Sequence, residues 1–257
     1  MTNLAGRTVV VTGASAGIGR AVAMAFGAEG CRLVLAARRR EKLAELAKVL
    51  RDRHGAESLT IGLDVRDRRA VESTLGALPP AWSEVDLLIN NAGLGRGLDK
   101  LQEGNPDEWD EMIDTNVKGL LYVTRALLPG MVARRRGHVI NIGSVAGREV
   151  YPGGNVYCAS KFAVKALTRA LKVDLLGTPI RVSTIDPGMV ETDFSLVRFR
   201  GDGERAAKVY QGLKALSAED IADIAVWIAS RPPHVDITEL VVMPTAQATA
   251  MLNHREP

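Results

Sequence analysis

Short runs of β-branched and aliphatic residues alternate along the chain with longer segments whose apolar positions recur at helical spacing. The first run, Thr8–Thr12, is followed by a helical segment from Gly17 to Glu29. Further strands are predicted at Arg32–Ala37, Leu59–Leu63, Val85–Asn90, His138–Ile142, Ile180–Ile185 and Leu240–Met243, with helices between nearly all of them. Seven strands joined by crossover helices make a parallel sheet in a doubly wound α/β fold. Pro79-Pro80 and Gly93 to Gly97 read as loops, and no repeat, linker or composition break divides the chain. Residues 1–257 are therefore expected to form one domain. In such a sheet, ligands bind beyond the carboxyl ends of the strands, so chemistry is expected in the residues just after each strand.

Composition narrows the function classes. A chain of 257 residues with 46% hydrophobic and 25% charged content suits one globular core and excludes a disordered or fibrous protein. No apolar run approaches the roughly 20 residues of a bilayer crossing, and no long apolar stretch follows a basic one at the N-terminus. Neither a membrane partner nor a secretory leader is expected. Cys31 and Cys158 are too few for a disulfide framework, which points to a reducing cytoplasm and to packing roles for both thiols. The net charge of +3 is small, and the basic residues form no single stripe, so a nucleic-acid partner is not expected. Of the two triplets, Arg38-Arg39-Arg40 and Arg134-Arg135-Arg136, the second reads as a solvated face. His54, His138, His234 and His254 lie far apart, and no metal site is predicted.

Thr12-Gly13-Ala14-Ser15-Ala16-Gly17-Ile18-Gly19 follows the first strand and opens into a helix. Gly13 permits a tight turn, Gly17 and Gly19 allow close backbone approach, and the free amides at the helix start suit a pyrophosphate. Three residues rather than one separate the first two glycines, which departs from the common dinucleotide spacing. Gly13, Ser15 and Gly17 also satisfy the nucleophile-elbow pattern of hydrolases. That reading loses on position, because only twelve residues precede the turn and the earlier strands of a hydrolase have no room. Ser15 is accordingly a candidate hydrogen-bond donor to phosphate rather than a nucleophile. At the end of the second strand, where an acid would grip the ribose hydroxyls of NAD, stand Ala37, Arg38 and Arg39. Guanidinium groups suit an additional phosphate, which implies NADP as the cofactor.

Tyr157 and Lys161 stand four residues apart in a predicted helix, Val156 to Leu176, so their side chains share one face. A neighbouring ammonium favours the phenolate, and Tyr157 then exchanges a proton with an alcohol or carbonyl. Ser144, after the fifth strand, is placed to hydrogen-bond a substrate oxygen. Asn90-Asn91-Ala92-Gly93 follows the fourth strand, Asn116 lies in the helix after it, and Pro187-Gly188 follows the sixth.

Thr12 to Gly19, Asn90 to Gly93, Asn116, Ser144, Tyr157, Lys161 and Pro187-Gly188 occur in the order and spacing of the short-chain dehydrogenase/reductase family, which the chain resembles over nearly its whole length. The resemblance implies a Rossmann fold and a homotetramer. It implies that Tyr157 is the general acid/base and that Ser144 orients the reacting oxygen. Lys161 would lower the tyrosine pKa and hold the nicotinamide ribose, and Asn116 would support a water in the proton relay. Gly13, Ser15, Gly17, Ile18 and Gly19 would hold the pyrophosphate and Asp64 and Val65 the adenine. Asn91, Ala92 and Gly93 would line the ribose side, and Pro187, Gly188, Val190 and Thr192 the carboxamide.

Tyr151 to Tyr157, Thr192 to Phe199 with Gly201-Asp202, and Met112 to Asn116 further resemble the NADP-dependent 3-hydroxy acid dehydrogenases, the group that includes serine 3-dehydrogenases. That resemblance implies an anionic small-molecule substrate of the serine, 3-hydroxypropionate or allo-threonine type. Cys158 to Phe162 and Arg148 depart mildly from the group's wording. The alternatives are a reductase of another small carbonyl compound, such as sulfoacetaldehyde or a general ketone, and a non-catalytic NADPH sensor. A carboxylate in a dry site calls for a fixed cation. Arg198, on the stretch that in this family folds over the substrate, and Arg148, four residues after Ser144, are the candidates, with Asn155 as a neutral donor.

Overall fold

The computed structural model describes residues 2–256. Seven strands form one parallel sheet in the order β3-β2-β1-β4-β5-β6-β7. They are β1 (Thr8–Thr12), β2 (Arg32–Ala37), β3 (Ser58–Gly62), β4 (Val85–Asn90), β5 (His138–Ile142), β6 (Arg181–Pro187) and β7 (Glu239–Val242). The helices are α1 (Gly17–Ala28), α2 (Arg40–His54), α3 (Arg68–Thr74), α4 (Pro106–Ile113), α5 (Leu120–Ala133), α6 (Asn155–Asp174), α7 (Phe194–Arg198), α8 (Gly203–Lys208) and α9 (Ala218–Ala229).

Helices cover both faces, so the central strands are apolar throughout: β1, β4 and β5 are buried along their whole length. Val9 and Val11 join Phe26, Leu43, Leu50, Ile221 and Ile228 in one cluster, while Val10, Val34 and Leu88 join Val123, Leu127 and Met131 in another. Strand order reverses between β1 and β4, and the cleft lies beyond their carboxyl ends.

The structure shifts several predicted bounds. The third strand begins one residue earlier, at Ser58, and the last ends at Val242. These edge strands are only half-buried, so their periodicity is weaker. The sixth extends to Pro187, which pairs in register with Val242. In the triplet expected to be a solvated face, Arg135 and Arg136 are exposed and Arg134 is half-buried. Arg134 Nη2 donates to the Val85 carbonyl at 2.8 Å, and Arg136 Nε meets the buried carboxylate of Asp86 at 2.6 Å. Both tie the end of α5 to the start of β4. No helix among the described residues is long and apolar enough to cross a membrane.

Candidate active site

The loops after β1 and β4 are locked together. Thr12 Oγ1 accepts from the amides of Asn91 and Ala92, both at 3.0 Å, and Asn91 Nδ2 donates to the Thr12 carbonyl at 2.9 Å. Gly13 turns at φ 65°, and a Cβ there would lie 2.8 Å from Asn91 Nδ2 and 3.0 Å from Ala92 Cα. A Cβ at Gly19 would meet the Gly13 carbonyl oxygen at 2.5 Å. Ala16 precedes α1 and provides no side-chain cap, which leaves the first-turn amides free for an anion. Ser15 Oγ faces a guanidinium, Arg39 Nη2 at 3.1 Å, rather than a base, so the elbow reading gains no support.

No acid stands at the end of β2; Arg38 and Arg39 are exposed there, and among the described residues neither forms an ion pair with a carboxylate. Asp64 is gripped by Arg66, with Nη2 to Oδ2 at 2.6 Å, and this guanidinium holds its carboxyl below the usual range. The Val65 side chain packs on Gly119, where a Cβ would come within 2.6 Å of it. The segment from Pro187 to Thr192 crosses back over the glycine loop. The Gly188 amide donates to Val242 at 2.8 Å, Val190 pairs with Leu216, and Thr192 Cβ would lie 3.3 Å from a Cβ on Gly17.

On the other side of the cleft, Ser144, Tyr157 and Lys161 converge. Ser144 follows β5, and its Oγ accepts from the Ala146 amide at 3.0 Å. Tyr157 and Lys161 stand one turn apart on α6, both buried. Lys161 Nζ donates to the Ile142 carbonyl at 2.9 Å, and burial pushes its pKa down to about 8, against the pull of Asp186. Asn116 sits in a π-helical segment, Asp114–Gly119, between α4 and α5, rather than in a regular helix. Its amide is fully engaged: Oδ1 accepts from Leu94 N at 2.8 Å, and Nδ2 donates to Leu94 O at 2.8 Å and Ser160 Oγ at 2.9 Å. With no side-chain polar group unpartnered, Asn116 fixes the 94 loop against α6.

Two cations stand near the Tyr157 ring: Lys161 Nζ lies 6.0 Å from its centroid and Arg198 Cζ lies 4.7 Å from it. Burial raises the Tyr157 pKa, and the Arg198 guanidinium and then the Ser144 hydroxyl oppose that rise. One expectation is corrected: Arg148 is not a free cation. Its Nε meets Asp186 Oδ2 at 2.7 Å and its Nη2 meets Glu239 Oε2 at 2.6 Å, so its charge is consumed. Asn155 is also occupied, donating to the Asp99 carbonyl at 2.9 Å and accepting from Val156 N at 2.6 Å.

Arg198 stays available. Its Nη2 donates to Tyr151 Oη at 2.9 Å, its Nε is buried with no partner, and no carboxylate pairs with it among the described residues. Tyr151, Phe194 and Gly95 adjoin this guanidinium, and none of the three is assigned a role by the sequence alone. Tyr151 and Phe194 stood only within the wording of a resemblance, and no spacing rule marks any of the three.

Residues 7–201 match the family described as short chain dehydrogenase. An NADP-dependent 3-hydroxy acid dehydrogenase of Salmonella typhi is 47% identical over 249 residues, spanning 96% of this chain and 99% of the relative. A solved structure described as the closed form of serine dehydrogenase complexed with NADP+ superposes with a TM-score of 0.90 at 46% identity, covering 97% of this chain and 100% of that one. Serine dehydrogenase from Escherichia coli superposes with a TM-score of 0.81 at 41% identity, covering 94% and 99%.

Proposed function

Because the chain belongs to the short-chain dehydrogenase family, we propose that it is an NADP-dependent oxidoreductase acting on a small 3-hydroxy acid or its carbonyl counterpart. Serine, 3-hydroxypropionate and allo-threonine are the alcohols to expect, with malonic semialdehyde in the reductive direction. When bound, NADP would supply the hydride chemistry that interconverts the alcohol and the carbonyl. The residues present suit that group. The uncapped start of α1 and the bare glycines 13, 17 and 19 suit the pyrophosphate, and Arg38 and Arg39 suit the ribose phosphate.

Tyr157 takes the hydroxyl proton during oxidation and gives one to the carbonyl oxygen during reduction. Ser144 would hold that oxygen, and Lys161, anchored on the Ile142 carbonyl, would hold the ribose of the cofactor. Asn116 contributes by fixing Leu94 and Ser160, which sets the spacing of the 94 loop and α6. The observation that carries the substrate class is Arg198, a guanidinium with a buried unpartnered Nε placed over the Tyr157 ring. An unpaired cation so close to the reacting group awaits an anion.

Initial rates for 3-hydroxypropionate and for 1-propanol, each measured on its own pH plateau, test the assignment. Arg198→Ala is expected to raise KM for the acid by about tenfold or more and to leave the uncharged alcohol nearly unchanged. Equal losses on both substrates would remove the acid from the assignment and leave a general carbonyl reductase.

A further inference from the structure

Arg198 differs from four arginines near it in the fold, each of which is paired with a carboxylate. Arg66 is paired with Asp64, Arg96 with Glu111, Arg148 with Asp186 and Glu239, and Arg200 with Glu108. Arg198 has aromatic neighbours instead. Its Cζ lies 4.7 Å from the ring centroid of Tyr157, 5.0 Å from that of Phe194 and 5.9 Å from that of Tyr151. The position is prepared by its surroundings. Tyr151 Oη accepts from Nη2. At Gly95, a Cβ would lie 2.7 Å from Nη2, 2.9 Å from Nε and 3.0 Å from Phe194 Cζ, so the guanidinium occupies room that only a bare α-carbon leaves. The backbone that carries it is fastened to the 94–97 loop, with Gly97 N donating to Arg198 O at 3.1 Å and the Arg96 guanidinium bridging the Val197 carbonyl and Glu111.

Among the described residues, several elements bring titratable groups to the surroundings of the phenol. From α6 come Lys161, directed to the Ile142 carbonyl, and Cys158, a neutral thiol whose pKa burial raises. From the loop after β5 comes Ser144, and from the loop before α6 comes Tyr151, a phenol held protonated by burial at a pKa of about 12. Asp186 of β6 acts on Lys161 and is itself bonded to Thr184 and Arg148. Arg198, from α7, stands 4.7 Å from the ring centroid and opposes the rise that burial causes in the Tyr157 pKa. An anion seated on Arg198 consumes that influence.

We propose that Arg198, seated on the Tyr157 ring by Tyr151 and Gly95, is a catalytic residue shared between the anionic end of the substrate and the catalytic phenol, so that the substrate's own charge governs proton transfer. This rests on the reading of the substrate as an acid. With no anion present, the guanidinium favours the phenolate, the form that accepts a proton from an alcohol. With a carboxylate docked, Tyr157 holds its proton more tightly, the form that delivers one to a carbonyl. An aldehyde acid therefore meets a protonated tyrosine over a wider pH range. A hydroxy acid needs a higher pH for oxidation than an uncharged alcohol does.

The test is an ultraviolet difference titration of tyrosinate in the NADP+-bound protein, with Tyr157→Phe subtracted to isolate Tyr157. Malonate serves as a carboxylate that cannot be oxidised. In the wild type, malonate is expected to move the Tyr157 midpoint upward. In Arg198→Met the midpoint is expected to be upward already and to ignore malonate, and Arg198→Lys should restore part of the response. Gly95→Ala, which displaces the guanidinium without removing it, should also raise the midpoint and blunt the malonate effect. Unchanged NADPH binding and circular dichroism certify that each variant is folded. A Tyr157 midpoint that is the same in wild type and Arg198→Met, or a wild-type midpoint that malonate does not move, overturns the coupling. The KM comparison between 3-hydroxypropionate and 1-propanol stands apart from it: a KM effect without a titration effect leaves the clamp and sinks the coupling. No KM effect sinks the acid reading itself.

Discussion

Replacing Lys161 with methionine removes a buried ammonium and keeps an unbranched chain of similar length. Nζ has one hydrogen bond, to the Ile142 carbonyl at 2.9 Å, and burial pushes its pKa from 10.5 to about 8. Between those values the unfolded chain binds a proton that the folded chain has released, so wild-type stability rises with pH across that window. At neutral pH the desolvated ammonium costs about 3 kcal/mol, and the cost falls to about 1 kcal/mol near pH 10. Lys161→Met has no such proton. The wild type should therefore gain about 2 kcal/mol on the variant between about pH 7 and about pH 10. The lost hydrogen bond, worth about 1 kcal/mol, shifts the variant equally at every pH and drops out of the slope. The other lysines and tyrosines titrate in both proteins and also cancel. Urea unfolding of the cofactor-free proteins at a series of pH values reads the difference. Parallel stability curves for the two proteins would refute the desolvation argument and place Lys161 in contact with water.

Two other substitutions probe the arginines. Arg38→Asp should weaken NADPH far more than NADH in a fluorescence titration, because it opposes only the additional phosphate; equal loss for both would remove the phosphate site. Arg148→Ala strands the Asp186 carboxylate, which is 2% exposed, and should lower unfolding stability by about 3 kcal/mol in urea while leaving the ratio of KM for acid and uncharged alcohol unchanged. A selective rise in KM for the acid would return Arg148 to the substrate site.

The doubly wound sheet was legible because each strand and crossover helix announces itself over a few residues. Backbone sterics and burial periodicity act at that range, so Thr8–Thr12, Arg32–Ala37, Val85–Asn90 and His138–Ile142 are bounded in the structure as the pattern predicts. The half-buried edges, Ser58–Gly62 and Glu239–Val242, slipped by a residue because half of their signal faces water. The glycine loop and the pairing of Tyr157 with Lys161 were readable for the same local reason, since one is a turn and the other one step of a helix.

Which cation serves which anion was not readable. Arg148 stands beside Ser144 in the chain, yet Asp186 and Glu239, 38 and 91 positions away, take its charge. Arg136, still exposed to water, likewise reaches buried Asp86, 50 positions away in the chain. Arg198 comes to rest on Tyr157 through Tyr151, 47 positions distant, and through the empty α-carbon of Gly95. Coulomb attraction depends on separation in space and on how much water lies between the charges, and neither is set until the sheet has closed and the loops beyond it have packed. The residue types were therefore settled by sequence, while the tertiary structure decided which guanidinium was neutralised and which was left over the catalytic phenol.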